Sequence, residues 1–63
     1  MKSNVIDIEG VVHYRTEKAI LFSNDGNRAN AVWLPLSQIE VEDAHPIWVV
    51  TLPEQLALEK GLI

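Results

Sequence analysis

Hydrophobic and polar positions alternate near the start of the chain and predict a β-strand over residues 4–15. Ile6, Ile8, Val12 and Tyr14 fall on one side of an extended chain, because successive side chains of a strand point to opposite faces. We therefore expect these four side chains to face a core. The other face would carry the polar side chains Asp7, Glu9, His13 and Arg15.

Four further strands are predicted from shorter apolar runs. They span residues 18–23, 29–34, 39–42 and 47–52. Gly10 predicts a bulge or a sharp bend inside the first strand. The segment 24–27 contains Asp-Gly, which favours a hairpin turn. Segments 35–38 and 43–46 are rich in turn-forming residues and predict two further turns.

The last segment predicts one short helix over residues 53–60. Proline is favoured at the first helical position, where Pro53 stands, and Glu54 and Lys60 complement the helix dipole at its two ends. Gly61 is suited to the left-handed conformation that ends many helices. A helix of this length is unstable alone, so it must pack on the sheet.

These elements predict a mainly β (α+β) fold in a single domain, 1–63. The expected architecture is a small curved antiparallel sheet or barrel of about five strands with one short C-terminal helix. The second, third and fifth strands are apolar on both faces. A curled sheet with a helix against one opening accounts for that pattern, whereas a flat open sheet does not.

Composition limits how the fold is stabilised and where it is found. The chain has 63 residues, of which 48% are hydrophobic, and no cysteine, so an apolar core must replace disulfides and thiolate metal sites. No apolar run approaches the roughly 18 residues of a membrane span. The first residues alternate in character and do not predict a signal peptide, so a cytoplasmic location is expected.

The negative charge lies in the second half of the chain. Residues 1–32 carry four acidic and four basic side chains, whereas residues 33–63 carry five acidic side chains against Lys60 alone, which gives the net charge of −4. Binding to phosphate backbones requires clustered lysine and arginine. Direct nucleic-acid binding is therefore disfavoured, and a protein with a basic surface is the more natural partner.

No arrangement of reactive side chains predicts catalysis. His13 and His45 lie far apart in sequence and have no second ligand at metal spacing. The serines lack a Gly-x-Ser-x-Gly context. We expect no metal, no cofactor and no enzymatic activity.

Large apolar side chains could serve either the core or an interface. Trp33 and Trp48 each lie inside an apolar run, so we expect core positions and at most one tryptophan at the surface. Leu58 and Leu62 occupy one side of the helix, and Leu52 and Leu56 occupy another. Either the helix is wedged deeply into the fold, or one of these pairs faces a partner, for which a second copy of the chain, in a homodimer, is a candidate.

Two candidate sites follow. The first is a protein-binding surface in which acidic side chains are joined by helix residues: Glu40, Glu42, Asp43, Glu54, Leu58 and Leu62. The acidic edge has a plainer interpretation as a strand face that deters edge-to-edge pairing. The alternative site would bind single-stranded nucleic acid through aromatic stacking near cations, and comprises Tyr14, Arg15, Lys18, Arg28 and Trp33.

Three segments carry a resemblance to a known family. They are Lys-Ala-Ile-Leu at 18–21, Val-Trp-Leu-Pro-Leu-Ser-Gln-Ile-Glu at 32–40 and Val-Thr-Leu-Pro-Glu-Gln-Leu-Ala-Leu-Glu-Lys-Gly-Leu at 50–62. In order and spacing this pattern resembles a family of small proteins encoded by phages, prophages and bacteria. Gln55 and Leu58 depart from it, standing where the family has tryptophan and a polar or charged residue.

The resemblance implies a mobile-element setting and assigns no catalytic residues. Combined with the charge distribution, it favours a non-enzymatic interaction module. Such a module would be an inhibitor that docks its acidic surface on a nucleic-acid-handling host defence complex, of the anti-CRISPR or anti-restriction type. The alternative is a small barrel that binds single-stranded nucleic acid in phage DNA metabolism. A third alternative is an oligomerising or accessory domain without an inhibitory role.

Overall fold

The computed structural model describes residues 4–63 and confirms the mainly β fold with one short C-terminal helix. Five antiparallel strands form one unclosed sheet, so the curved-sheet form of the prediction holds and the barrel form does not. The elements are β1 (Val5–Arg15), β2 (Ala19–Ser23), β3 (Val32–Pro35), β4 (Glu40–Asp43), β5 (Trp48–Pro53) and α1 (Glu54–Glu59). Across residues 4–63, no helix is long and apolar enough to cross a membrane.

The sheet consists of two three-stranded halves that share β1. The strand order is β3-β2-β1-β5-β4. Residues Val5–Gly10 of β1 pair with β5, whereas its residues from Val11 onward pair with β2. We call the unit of β1, β5 and β4 the first half, and the unit of β1, β2 and β3 the second half. Each half therefore has its own outer face.

Gly10 lies where β1 changes partner. A Cβ atom at this position would lie 2.2 Å from the backbone oxygen of Ser23 and 2.7 Å from the ring of Phe22. Only glycine allows β1 to approach the end of β2 this closely. The bulge or sharp bend was predicted at Gly10, but the bulge of β1 lies three residues later, and Gly10 instead permits this close approach.

The β-bulge of β1 lies at His13. Val12 pairs with Phe22 and Tyr14 pairs with Leu21, so His13 is an extra residue in the ladder. An extra residue reverses the faces of the side chains that follow it. Tyr14 consequently turns away from the core and is 58% exposed, which corrects its predicted inward orientation.

The core lies between the inner face of the sheet and the helix. Its buried residues are Ile20, Phe22, Leu34, Val50, Leu52, Ala57 and Leu62. Ile6 and Ile8 pair with Leu52 and Val50 and pack against this cluster as predicted. The inner face thus draws on both halves of the sheet, while the helix supplies Ala57.

The helix is shorter than predicted because Pro53 still belongs to β5. It spans Glu54–Glu59, and Gly61 ends it with a φ of 75°. The Leu62 N–H donates to the Ala57 carbonyl oxygen at 2.8 Å, which folds the chain back as in a Schellman-type end. This turn carries Leu62 into the core.

Two segments near β3 form 3₁₀ turns. Residues Arg28–Asn30 make one such turn, so β3 begins at Val32 and not at the predicted residue 29. Asn27 caps this turn through its Oδ1, which accepts the Ala29 N–H at 2.9 Å. Residues Leu36–Gln38, predicted as a plain turn, make the other.

Candidate functional site

Four carboxylates share the outer face of the first half of the sheet. Asp7 and Glu40 pair with the same β5 residue, Thr51, and Glu9 and Glu42 both pair with Val49. Paired residues of an antiparallel sheet point to one face. All four carboxylates are exposed. We call this surface of Asp7, Glu9, Glu40 and Glu42 the acidic face.

Strand geometry fixes the spacing of the acidic face. Alternate residues of one strand lie about 7 Å apart, and residues two strands apart lie about 10 Å apart. Both distances are close to the screening length of about 8 Å at physiological salt. The four charges therefore act together on an approaching molecule. Thr51 Oγ1 also donates to Asp7 Oδ1 at 2.5 Å, which holds that carboxylate in place.

The acidic face differs from the predicted acidic edge at two points. Asp43 pairs with Trp48 and so points to the opposite face from Glu42. Its Oδ1 accepts the His45 N–H at 3.0 Å, which stabilises the turn after β4. Asp7 and Glu9 were not assigned to the site from sequence, because their proximity to β4 depends on both strands flanking β5.

A shallow groove of about 260 Å³ adjoins the acidic face. It is lined by Val5, Ser37, Gln38, Ile39, Glu40, Thr51 and Pro53. The groove therefore combines aliphatic surface with one carboxylate and several polar groups. Lysine and arginine have this same division between an apolar stem and a charged end.

Of the three C-terminal residues assigned to the protein-binding surface, the structure leaves Leu58 exposed but not Leu62. Glu54 is half-buried at the start of α1, where its N–H donates to the Asn4 carbonyl oxygen at 2.8 Å. Leu58 is 59% exposed, but Leu62 is 5% exposed and belongs to the core. The predicted leucine pair is therefore divided, and Leu62 is not available to a partner.

The outer face of the second half carries aromatic side chains. Tyr14 pairs with Leu21, which pairs with Trp33. The Tyr14 and Trp33 rings meet edge to face across Leu21, with centroids 6.2 Å apart and an interplanar angle of 85°. We call these three residues the aromatic row. Trp33 is 46% exposed, which corrects its favoured core position, and Trp48 is half-buried, so the expectation of at most one tryptophan at the surface is met.

The cations of the alternative nucleic-acid site do not gather around the aromatic row. Arg15 and Lys18 lie at the end of the second half where β1 turns into β2, and Arg28 lies beyond the other end of β2. Single-stranded nucleic acid is usually bound where aromatic rings line a continuous positive groove. The structure brings together the two rings of this candidate site but places its cations at opposite ends of β2.

His13, Ser23 and Asp25 lie near one another without forming an accessible nucleophile. His13 Nε2 and Ser23 Oγ are 2.7 Å apart, but Ser23 is fully buried. Asp25 instead accepts the Asn27 N–H and the Asn30 Nδ2 at 2.9 and 2.8 Å. These hydrogen bonds lower the pKa of Asp25 from its ordinary value. The cluster therefore secures the loop after β2.

No group of three or more histidine or acidic side chains in the described part of the chain is arranged to hold a metal ion. A scan of protein-family models, a search of curated proteins and a search of solved structures each returned no match to this chain. The function of the chain must therefore be inferred from the geometry of its own surfaces.

Proposed function

We propose that this chain is a non-enzymatic protein-binding module that docks its acidic face on a basic surface of a partner protein. The observation that carries the proposal is the convergence of Asp7, Glu9, Glu40 and Glu42 on one outer face, across three strands. Clustered like charges do little for the stability of the chain itself, but they attract and orient a partner of opposite charge.

The residues around the carboxylates also suit a protein partner. Val49 lies between Glu9 and Glu42, and the groove beside Glu40 and Thr51 adds aliphatic surface. Interfaces typically combine apolar contact with charged groups at the rim. A lysine or arginine of the partner would pack its stem in the groove and place its charge near Glu40.

The partner class follows from the sign of the charge. Proteins that handle nucleic acids present basic surfaces to phosphate backbones, and an acidic face competes for those surfaces. The resemblance to small phage and prophage proteins supports a host defence complex as the target, with this chain as its inhibitor.

The proposal is tested by capture from a nuclease-treated bacterial lysate, with the chain immobilised and the bound proteins quantified by mass spectrometry. The variant is Glu9→Lys with Glu42→Lys, which reverses the charge on both sides of Val49. The matched control is Glu17→Lys with Glu59→Lys, two exposed positions outside the acidic face. Each double variant changes the formal net charge from −4 to 0.

We expect the wild-type chain and the control to capture the same basic nucleic-acid-handling proteins, and the acidic-face variant to lose them. Added salt should weaken capture, since exposed charge pairs are screened. Equal loss in both variants would show that only net charge matters and would refute a defined site. Titration with labelled single-stranded DNA at low salt separates the alternative function, because quenching of tryptophan fluorescence would indicate nucleic-acid binding.

A further inference from the structure

The two edges of the sheet differ in charge. β3 and β4 are the edge strands. β4 carries Glu40, Glu42 and Asp43, whereas β3 is Val-Trp-Leu-Pro and carries no charge. Charged side chains are a common protection of edge strands against pairing with another chain. β4 has this protection along its length, and β3 is protected only by its shortness and by Pro35 at its end.

We infer that β3 is a dimerisation edge, at which two copies of the chain pair their β3 strands antiparallel about a two-fold axis. Among residues 4–63, β3 pairs with β2 alone, which leaves its second edge open. An antiparallel edge is complementary to itself, since each strand offers the same alternating donors and acceptors. The same pairing through β4 would bring six carboxylates together, three from each copy.

The side chains of β3 exclude every register that pairs a core-facing residue with an outward-facing one, and among the remaining registers the one centred on Trp33 places its exposed ring against its own copy. Leu34 faces the core and Trp33 faces outward, and a continuous sheet requires paired residues to share a face. A two-fold axis at Trp33 meets this requirement by pairing Trp33 with its own copy and Val32 with Leu34 of the second copy. A shift by one residue would place Trp33 opposite a core side chain.

This register also covers exposed apolar surface. The aromatic row ends at the sheet edge with Trp33. In the dimer the two aromatic rows become one continuous row of six side chains across the interface. Aromatic pairs directly opposite one another are among the favourable cross-strand contacts. The dimer therefore accounts for a tryptophan that the core does not use.

The inference is tested first by the mass of the purified full-length chain in light scattering over a range of concentrations. We expect the wild type to reach twice the chain mass. Trp33→Lys should weaken dimerisation about tenfold or more, because it replaces the aromatic pair with two like charges. Glu42→Lys on the opposite edge should leave the dimer intact. Circular dichroism checks that each variant keeps its fold.

A second test locates the interface and exploits the absence of cysteine from the chain. Cα atoms of residues paired in an antiparallel ladder lie about 4.5 or 5.5 Å apart, and both distances permit a disulfide. Under mild oxidation, Trp33→Cys should form a covalent dimer and Leu58→Cys, on the exposed side of the helix, should not. A wild type that stays monomeric, a Trp33→Lys variant that stays dimeric, or cross-linking at residue 58 alone would overturn the inference.

Discussion

Replacement of Gly10 with alanine tests how β1 joins the two halves of the sheet. The added Cβ would lie 2.2 Å from the Ser23 backbone oxygen, 2.7 Å from the Phe22 ring and 3.0 Å from the Asn24 Cα. Two of these contacts are to backbone atoms, which cannot rotate away. Relief of the overlap requires β1 and β2 to separate by roughly 1 Å where Val11 pairs with Ser23.

The expected loss of stability from Gly10→Ala is large relative to the total stability of a domain of this size. Overpacking of a close-packed site costs about 1–3 kcal/mol, and more where backbone must move. A 63-residue chain has a total stability of only about 3–9 kcal/mol, at about 0.05–0.15 kcal/mol per residue. Alanine also restricts the unfolded chain, but that effect is about 0.4–1 kcal/mol and does not offset the overlap. We expect Gly10→Ala to lose about 3 kcal/mol or more.

Gly61→Ala is the matched control. Gly61 has a φ of 75° and nothing within 4 Å of its added Cβ, so alanine there meets only the backbone penalty of about 1–2 kcal/mol. Urea unfolding followed by tryptophan fluorescence measures both variants. With a slope of about 1–3 kcal/mol per molar urea, the two midpoints should be clearly resolved. A Gly10→Ala midpoint equal to or above that of Gly61→Ala would refute the close approach.

Two further predictions concern the loop after β2. His13→Ala should lower the free energy of unfolding by about 1–3 kcal/mol, because it leaves the buried Ser23 hydroxyl without its partner. In a double-mutant cycle, the double variant with Ser23→Ala should lose less stability than the two single variants added together. Asp25→Ala should destabilise the chain at neutral pH. Because hydrogen bonds from Asn27 and Asn30 lower the pKa of Asp25 below its ordinary value of 3.8, its ionised carboxylate stabilises the fold above that pH. The difference in stability from wild type should therefore shrink as the pH falls through the folded-state pKa. A difference that persists unchanged into acid would contradict this assignment.

Local patterns predicted the elements that depend on local chemistry. The alternation of Ile6 and Ile8 with polar residues placed β1 and its core face correctly. Gly61 marked the end of the helix, since a left-handed residue is needed there. The strands over 39–42 and 47–52 followed from short apolar runs between turn residues, and in the structure all four of their ends lie within one residue of those bounds.

The errors arose where one residue changes the register or where pairing is long-range. The extra residue at His13 turns the Tyr14 side chain to the opposite face of the sheet. The residue type of His13 gives no sign of a bulge, because histidine also occurs in regular strands. The Asn27 cap converts residues 28–30 to a 3₁₀ turn and delays β3. Trp33 was expected inside because its run is apolar on both faces, yet the outer face of β3 is an exposed surface at the sheet edge.

The acidic face shows the same limit for a functional site. Its members lie at residues 7–9 and 40–42, more than 30 positions apart. They meet only because β5 pairs with β1 on one side and β4 on the other. Sequence alternation identified both pairs as outward-facing. Alternation does not reveal the order of the strands, and it is this order that places the two pairs on one surface.

The strand order also connects the two proposals. The acidic face extends from β1 to β4 at one end of the sheet, and the β3 edge lies at the other end. Dimerisation through β3 would therefore leave both acidic faces free, on opposite ends of a ten-stranded sheet. Two sites on one particle gain avidity only where a partner presents repeated basic surfaces at a matching distance. Trp33→Lys should then weaken capture of a multi-subunit partner although it leaves every carboxylate of the acidic face in place. Equal capture by monomer and dimer would show that each acidic face acts alone.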